Sequence, residues 1–202
     1  MDRNICHMTS THNLESIFKA GELICKSEIQ KRNIGFQDIS NHDVQDKRAT
    51  KQVEIQPGGT LYDYVPFYFW GLTPMLYVNR HRQNEIIFFV SKPKLIKESG
   101  QSFVFTDRHA ILALANFSNN LCDLDKYLDM SVIKGQWWNN TPENPDRKER
   151  KQAEFLVYKK VNLAWCAGIV TLNDMVRSQV ESILEANGVS MSVKVYSDWY
   201  YI

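Results

Sequence analysis

Gln152-Ala153-Glu154-Phe155-Leu156-Val157 is the stretch whose reading decides the fold. It opens a short apolar run with a carboxylate, directly after a long polar segment, 132–151. That segment carries Trp137, Trp138, two prolines and the charge run Arg147-Lys148-Glu149-Arg150-Lys151. Strands favour β-branched and aromatic side chains, so 153–158 predicts a buried strand and Glu154 stands at its mouth against propensity. Two readings of that glutamate are open. It is a solvated side chain at a strand end, or a catalytic carboxylate beneath an aromatic and basic loop. Spacing by itself favours the solvated side chain.

Outward from this strand, the pattern predicts others at 5–8, 85–91, 102–106 and 167–171, and an alternating, half-exposed one at 189–196. A helix after 5–8 has Leu14, Ile17 and Phe18 on one face, Thr11 as its N-cap and Gly21 as its stop. Asp107 is placed to cap a helix over 108–117, rich in Ala, Leu and Ile. A last helix starts at Asn173 or Asp174, turns Val176, Val180, Ile183 and Leu184 inward, and ends at Gly188. Residues 26–56 are polar and weakly periodic, and 40–51 reads equally as a short helix or an ordered loop. Pro57-Gly58-Gly59 marks a turn before Tyr62-Asp63-Tyr64-Val65-Pro66-Phe67-Tyr68-Phe69-Trp70, an aromatic density that fills a core or lines a pocket. Strands and helices mix without strict alternation or repeat. The expectation is one α+β domain over 1–202.

The 202 residues, 44% hydrophobic and 23% charged, suffice for a full core without disulfides or metal. A net charge of +1 neither predicts nor excludes a nucleic-acid partner, so any such surface must be local. Cys6, Cys25, Cys122 and Cys166 form no C-x-x-C pair, and reduced, mostly buried thiols are expected in place of zinc or a disulfide framework. The N-terminus lacks a signal-peptide apolar region, and the longest tight apolar run, 86–90, is too short to span a bilayer. A cytoplasmic protein without a membrane partner is expected. There is no G-x-G-x-x-G, no G-x-x-x-x-G-K-[ST] and no H-E-x-x-H, so a Rossmann cofactor, a P-loop nucleotide and a catalytic metal all lose their usual support.

Three polar positions remain. His7 and Thr9, two apart on the first strand, share a face and can contact one ligand, unless His7 is a satisfied structural imidazole. Arg48 lies in the polar segment and Glu154 begins the late strand; for Arg48 the alternative is a surface cation, and for the 147–151 run a solvated loop.

Taken in order, the motifs are more specific than their parts. They run His7-x-Thr9, Asn13-Leu14-x-Ser16-Ile17, Gly21-x-Leu23, Lys47-Arg48 and Pro57-Gly58-Gly59-Thr60-Leu61-x-Asp63-Tyr64-Val65-Pro66-Phe67-Tyr68-Phe69. Pro74-Met75-Leu76-Tyr77, Thr106-Asp107-x-x-Ala110 and Arg150-x-Gln152-Ala153-Glu154-Phe155-Leu156-Val157 follow. Over residues 5 to about 170, this resembles the DarT family of DNA ADP-ribosyltransferase toxins. In one place it departs. The family commonly has Arg-Ser-Pro-Met-Leu-Tyr where this chain has Gly71-Leu72-Thr73-Pro74, so Leu72 stands where a cation is expected.

The resemblance implies an ADP-ribosyltransferase-like split β-core with flanking helices, using NAD⁺ as co-substrate and no metal. It makes Glu154 and Arg48 the catalytic residues, Glu154 as the carboxylate on the ribose 2′-hydroxyl and Arg48 on the pyrophosphate or the ionised base. His7, Met8, Thr9, Ser16 and Arg48 are the implied NAD⁺-binding residues. Segment 132–152 is the implied substrate-recognition loop, and Tyr64, Met75, Trp137, Trp138, Arg147 and Arg150 the implied nucleic-acid contacts, with one tryptophan in the core and one on the DNA. The implied acceptor is a ring nitrogen such as thymine N3 in single-stranded DNA, and the implied partner a DarG-like macrodomain antitoxin. Rival readings are modification of guanine, RNA or protein, an NAD⁺-using tRNA 2′-phosphotransferase, and a noncatalytic single-strand-binding module.

Overall fold

The computed structural model describes residues 3–201. Strand β1 (Ile5–Ser10) turns into helix α1 (Leu14–Ala20) where the Ser10 hydroxyl accepts from the His12 N–H, so Ser10 and not Thr11 makes the capping bond. Gly21 ends that helix at φ 66°, a left-handed conformation open to a residue without Cβ. Strand β2 (Glu22–Ile24), helix α2 (Lys26–Lys31) and helix α3 (His42–Thr50) follow. The 40–51 segment is thus a helix, and it lacks an apolar stripe because the one side chain it buries is Arg48.

The middle of the chain supplies β3 (Tyr64–Tyr68), α4 (Pro74–Val78), β4 (Ile86–Ser91), α5 (Pro93–Glu98), β5 (Phe103–Thr106) and β6 (Phe117–Ser118). Short helices α6 (Leu124–Tyr127), α7 (Met130–Lys134) and α8 (Arg147–Arg150) lead to β7 (Glu154–Tyr158), so the 132–151 segment is only partly a loop. β8 (Lys160–Asn162), β9 (Gly168–Thr171), α9 (Asp174–Ala186) and β10 (Val193–Val195) complete the fold.

Eight of these strands form one sheet in the order β10-β9-β4-β1-β3-β7-β5-β6, and β2 pairs separately with β8. The large sheet is nearly cut in two. β1 pairs with β4 at every position from Ile5 to Ser10, yet meets β3 at one register pair, Cys6 with Tyr68. Beyond that pair β1 and β3 part, and a cleft lined by His7, Thr9, Tyr64 and Pro66 opens between the half-sheets. This is the split α+β core expected.

β4 is apolar on both faces because both are covered. Ile87 and Phe89 pack with Leu14, Phe18, Val176 and Val180, whereas Ile86, Phe88 and Val90 pack with Leu76, Trp199 and Tyr200. Each such side chain contributes roughly 1.5–3 kcal/mol by leaving water. The C-terminal segment lies so close to the end of β3 that a Cβ on Gly71 would come within 2.7 Å of the Trp199 carbonyl oxygen.

Two expected elements differ. Residues 108–117 are not helical: the Asp107 carboxylate accepts from the Asn116 N–H and side-chain amide, closing a loop in place of capping a helix. The His109 and Ala110 N–H groups are spent on the Glu149 carbonyl and the Glu154 carboxylate, so tertiary bonds override the helical propensity of the alanines and leucines. The last strand is confined to β10 and runs parallel to β9, shorter than the 189–196 expected.

Candidate active site

Glu154 lies at the start of β7, in register with Tyr68 of β3, and alternates with the core residue Phe155. It is 1% exposed, which corrects the solvated reading. A carboxylate can be buried only if its oxygens are satisfied, and they are. Oε2 accepts from Arg48 Nη1 at 2.7 Å and Oε1 from the Ala110 N–H at 3.1 Å, while the Glu154 N–H donates to Thr106 Oγ1 at 3.1 Å. Burial pushes the carboxyl toward protonation; the charge of Arg48, with His109 and the two hydrogen bonds, outweighs it and holds the group below the usual carboxylate range. The central residue is an anion in a dry wall.

Arg48 reaches this anion from α3, lines the cleft, and is itself 6% exposed, which rules out the surface-cation reading. Its Nη2 is buried and has no hydrogen-bond partner. An unpaired buried donor is costly unless a ligand meets it, and here it lies in the wall of the cleft. His109 stands on the other side, Nε2 3.7 Å from Glu154 Oε1. Burial lowers its pKa against the raising effect of Glu154, so the ring is neutral near pH 7 and Arg48 is the true counter-charge.

The cleft encloses about 1020 Å³ including its open mouth, and His7, Met8, Thr9, Ser16 and Arg48 all line it. His7 Nδ1 lies 2.8 Å from the Pro66 carbonyl oxygen, which can only accept, so Nδ1 carries the proton and Nε2 keeps its lone pair. Burial also lowers the His7 pKa, so the ring stays neutral. Thr9 Oγ1 accepts from the Asn13 side-chain amide at 3.1 Å, and Ser16 Oγ donates to the Asn13 carbonyl at 2.8 Å. Met8 packs into the cluster of Cys6, Leu76 and Phe88 while lining the cleft along the open edge of β1.

The residues expected on nucleic acid divide. Trp137 is 71% exposed, whereas Trp138 is half-buried, its ring 5.5 Å from Tyr77. Arg147 lies half-buried at the start of α8, where its charge reaches the Glu143 carboxylate, and Met75 lines the cleft with its sulfur 3.5 Å from the Tyr68 hydroxyl. Tyr64 offers no surface to a base: it is 1% exposed and its hydroxyl donates to the Gly58 carbonyl at 2.6 Å. Arg150 is committed to Asp146, Asp129 and Asn144, so it braces the segment from within. Nor is the 147–151 run wholly solvated. Lys151 is 2% exposed, and its ammonium donates to the carbonyls of Ile133 and Gly135. Burial brings its pKa down to about 8. Leu72, where a cation was expected, is half-buried.

A family model described as "ssDNA thymidine ADP-ribosyltransferase, DarT" matches residues 6–201. The chain belongs to the DarT family. A curated relative from Thermus sp. (strain 2.9), a DNA ADP-ribosyl transferase, is 36% identical over 98% of this chain and 95% of its own length. Solved structures of Thermus sp. 2.9 DarT share the DarT fold seen here. The complex with ADP-ribosylated ssDNA matches with a TM-score of 0.90 at 34% identity, over 98% of this chain and 96% of that one. The NAD⁺ complex matches with a TM-score of 0.85 at 33% identity, over 98% and 97%. A Thermosipho africanus DarTG structure, 18% identical, covers 99% of this chain and 51% of that one with a TM-score of 0.78, and shows the fold alone. This DarT is an NAD⁺-dependent DNA ADP-ribosyltransferase. Among its described residues no helix is long and apolar enough to cross a membrane, and no His/Cys/Asp/Glu group could hold a metal. Its four cysteines are free; Cys6 and Cys25 are buried, Cys166 is half-buried and Cys122 is exposed.

Sequence reading passed over His109, Thr106 and the Ala110 N–H in this DarT as site components. The Thr106-Asp107-x-x-Ala110 motif was visible, but the predicted helix hid its purpose, which is to turn one amide and one imidazole toward Glu154.

Proposed function

We propose that the Arg48–Glu154 pair and the His7–Thr9 edge of β1 are the machinery by which this chain moves the ADP-ribosyl group of NAD⁺ onto thymine in single-stranded DNA. The observation that carries the reading is a buried carboxylate charge-paired to Arg48, which lines the cleft and keeps one guanidinium nitrogen without a partner. Breaking the bond between ribose C1′ and nicotinamide sends the electron pair out with nicotinamide and leaves positive charge on the ribose. A fixed carboxylate meets that charge only as it develops, which is where electrostatic stabilisation lowers a barrier. Glu154 would hold the ribose 2′-hydroxyl, with Arg48 Nη2 on the pyrophosphate. His7 Nε2, an acceptor by its tautomer, and Thr9 would grip the ligand along the strand edge.

Bond formation at thymine N3 requires the loss of its proton. A guanidinium is a poor proton acceptor, because it stays cationic in folded proteins. His109, neutral and beside Glu154, has the lone pair and is the group we assign to it.

The single domain over 1–202, with 132–152 as its acceptor-selecting segment, is part of this proposal, with the exposed Trp137 and the half-buried Arg147 its contacts. NAD⁺ and DNA meet in the cytoplasm, where we place the activity. A thymine mark on single-stranded DNA would block replication, so a DarG-like macrodomain antitoxin that removes it is the expected partner; the Thermosipho relative is described as a DarTG. Incubation with NAD⁺ and matched single-stranded DNA, RNA and protein, followed by mass analysis, tests the reading. Mass gain on thymine alone is expected, and gain on protein or RNA alone would sink it.

A further inference from the structure

We infer that a ridge beside the cleft, Lys148–Trp138–Tyr77–Arg80, binds the stretch of single strand that flanks the modified base. The inference rests on the DNA reading above and adds Tyr77, Arg80 and Lys148 to it.

The four side chains come from two separate parts of the chain and meet in one row. Lys148 Nζ lies 5.4 Å from the Trp138 ring, the Trp138 and Tyr77 rings are 5.5 Å apart at 68°, and Arg80 Cζ lies 4.2 Å over Tyr77. The row is exposed: Tyr77 keeps 38% of its surface and its neighbour Val78 64%. Neither Arg80 nor Lys148 pairs with a carboxylate among the described residues; the nearby Glu149 is engaged by the Asn140 side chain. Two cations without carboxylate partners, one at each end of a pair of aromatic rings, offer ring faces to bases and charges to the phosphates on either side. They also supply the local positive surface that a chain of net charge +1 needs to meet nucleic acid at all.

The row is held, so little ordering is required of it. The Tyr77 ring packs 5.2 Å from Tyr201, whose hydroxyl donates to the Thr73 carbonyl and whose N–H donates to Gln83 Oε1. Arg80 Nη1 donates to the Tyr77 carbonyl at 2.9 Å. It is also continuous with the reaction centre on both sides. Met75, two residues before Tyr77, lines the cleft. Glu149, next to Lys148, accepts from the His109 N–H at 2.9 Å. The two cations rest over the ring faces; a strand would draw them onto phosphates and give a ring face to a base.

The test measures binding and turnover of thymine-containing oligonucleotides of increasing length by Tyr77→Ala, Arg80→Gln and Lys148→Gln. For long oligonucleotides Tyr77→Ala should raise Kd and KM about tenfold with kcat and the KM for NAD⁺ unchanged, and the difference should vanish for the shortest substrate. Each cation variant should flatten the log Kd against log salt slope by about 0.7. Folded variants that match the unaltered protein at every length and salt overturn the ridge while leaving DNA transfer intact. An unaltered protein that neither binds nor modifies any single strand overturns both.

Discussion

The catalytic wall and the acceptor side of this molecule are built by opposite means. Glu154 and Arg48 are buried and His109 keeps 12% of its side chain exposed, and each is fixed from its own element: β7, α3 and the 107–116 loop. The Trp137 segment has no regular structure between α7 and α8, and is pinned at its base by Lys151 and Arg150 while its tip stays in water. The contrast separates two demands. Stabilising charge on a ribose needs dry, preorganised groups, and accepting a flexible strand needs exposed rings on a braced loop.

If that division holds, substitutions at the wall should damage kcat, and substitutions on the loop should damage KM for DNA. Glu154→Gln, which keeps the shape, should lower transfer on the order of 10³-fold by single-turnover assay, with NAD⁺ still bound. Glu154→Ala should do the same and also cost about 3–5 kcal/mol of stability by urea titration, because it strands the Arg48 cation in the interior. A stable, active Glu154→Ala would break the comparison at its strongest point.

Acid should silence the wall before it silences the loop. The low His109 pKa means that activity holds through neutral pH and falls only below the ordinary histidine value of 6.5. Glu154, held lower than its ordinary 4.5, stays ionised throughout that fall. The limb should disappear from the kcat profile in His109→Asn, and persistence there would remove the proton role. Because the unfolded chain takes up these protons first, His7 and His109 also make folding weaker as pH drops below 6.5, seen as a falling Tm.

Trp137→Ala should raise the KM for DNA about tenfold by losing one stacking face, with Tm unchanged because the ring is 71% exposed. Smallest in effect on chemistry, Lys151→Met should cost about 2 kcal/mol by leaving two carbonyls without a donor, and loosen the loop enough to raise the same KM a few-fold. Equal losses of kcat in both loop variants would show that wall and loop are one unit.

Much of this was legible in the chain. The α9 stripe of Val176, Val180 and Leu184 has one period and one answer, and β4 is too apolar to lie anywhere but the middle of a sheet. Glu154 stood out locally as a carboxylate at a strand mouth, yet spacing favoured a solvated side chain, and its role came from the order of His7, Thr9 and Arg48 and the match of 152–157 to one family. What stayed hidden depends on distant partners. Arg48 makes α3 look structureless, since a helix that buries a cation shows no apolar period. Lys151 reads as solvated until the carbonyls of Ile133 and Gly135 close over it, and Tyr64 reads as a possible base contact until Gly58 takes its hydroxyl. The break between β1 and β3 is a matter of which strands decline to pair, on which local composition is silent.

β7 is an interior strand, flanked by β3 and β5, and its first residue bonds to an arginine 106 positions earlier. Pairings of such long sequence separation form late and slowly, because the chain loses loop entropy before it gains contacts. A growing chain that stops short of β7 therefore carries Arg48 without its carboxylate, and leaves β3 and β5 as open sheet edges that invite chaperones or aggregation. Assembly of the proposed catalytic pair is withheld until three-quarters of the chain has been made, so on that proposal a truncated product is inert by construction and not merely weakened.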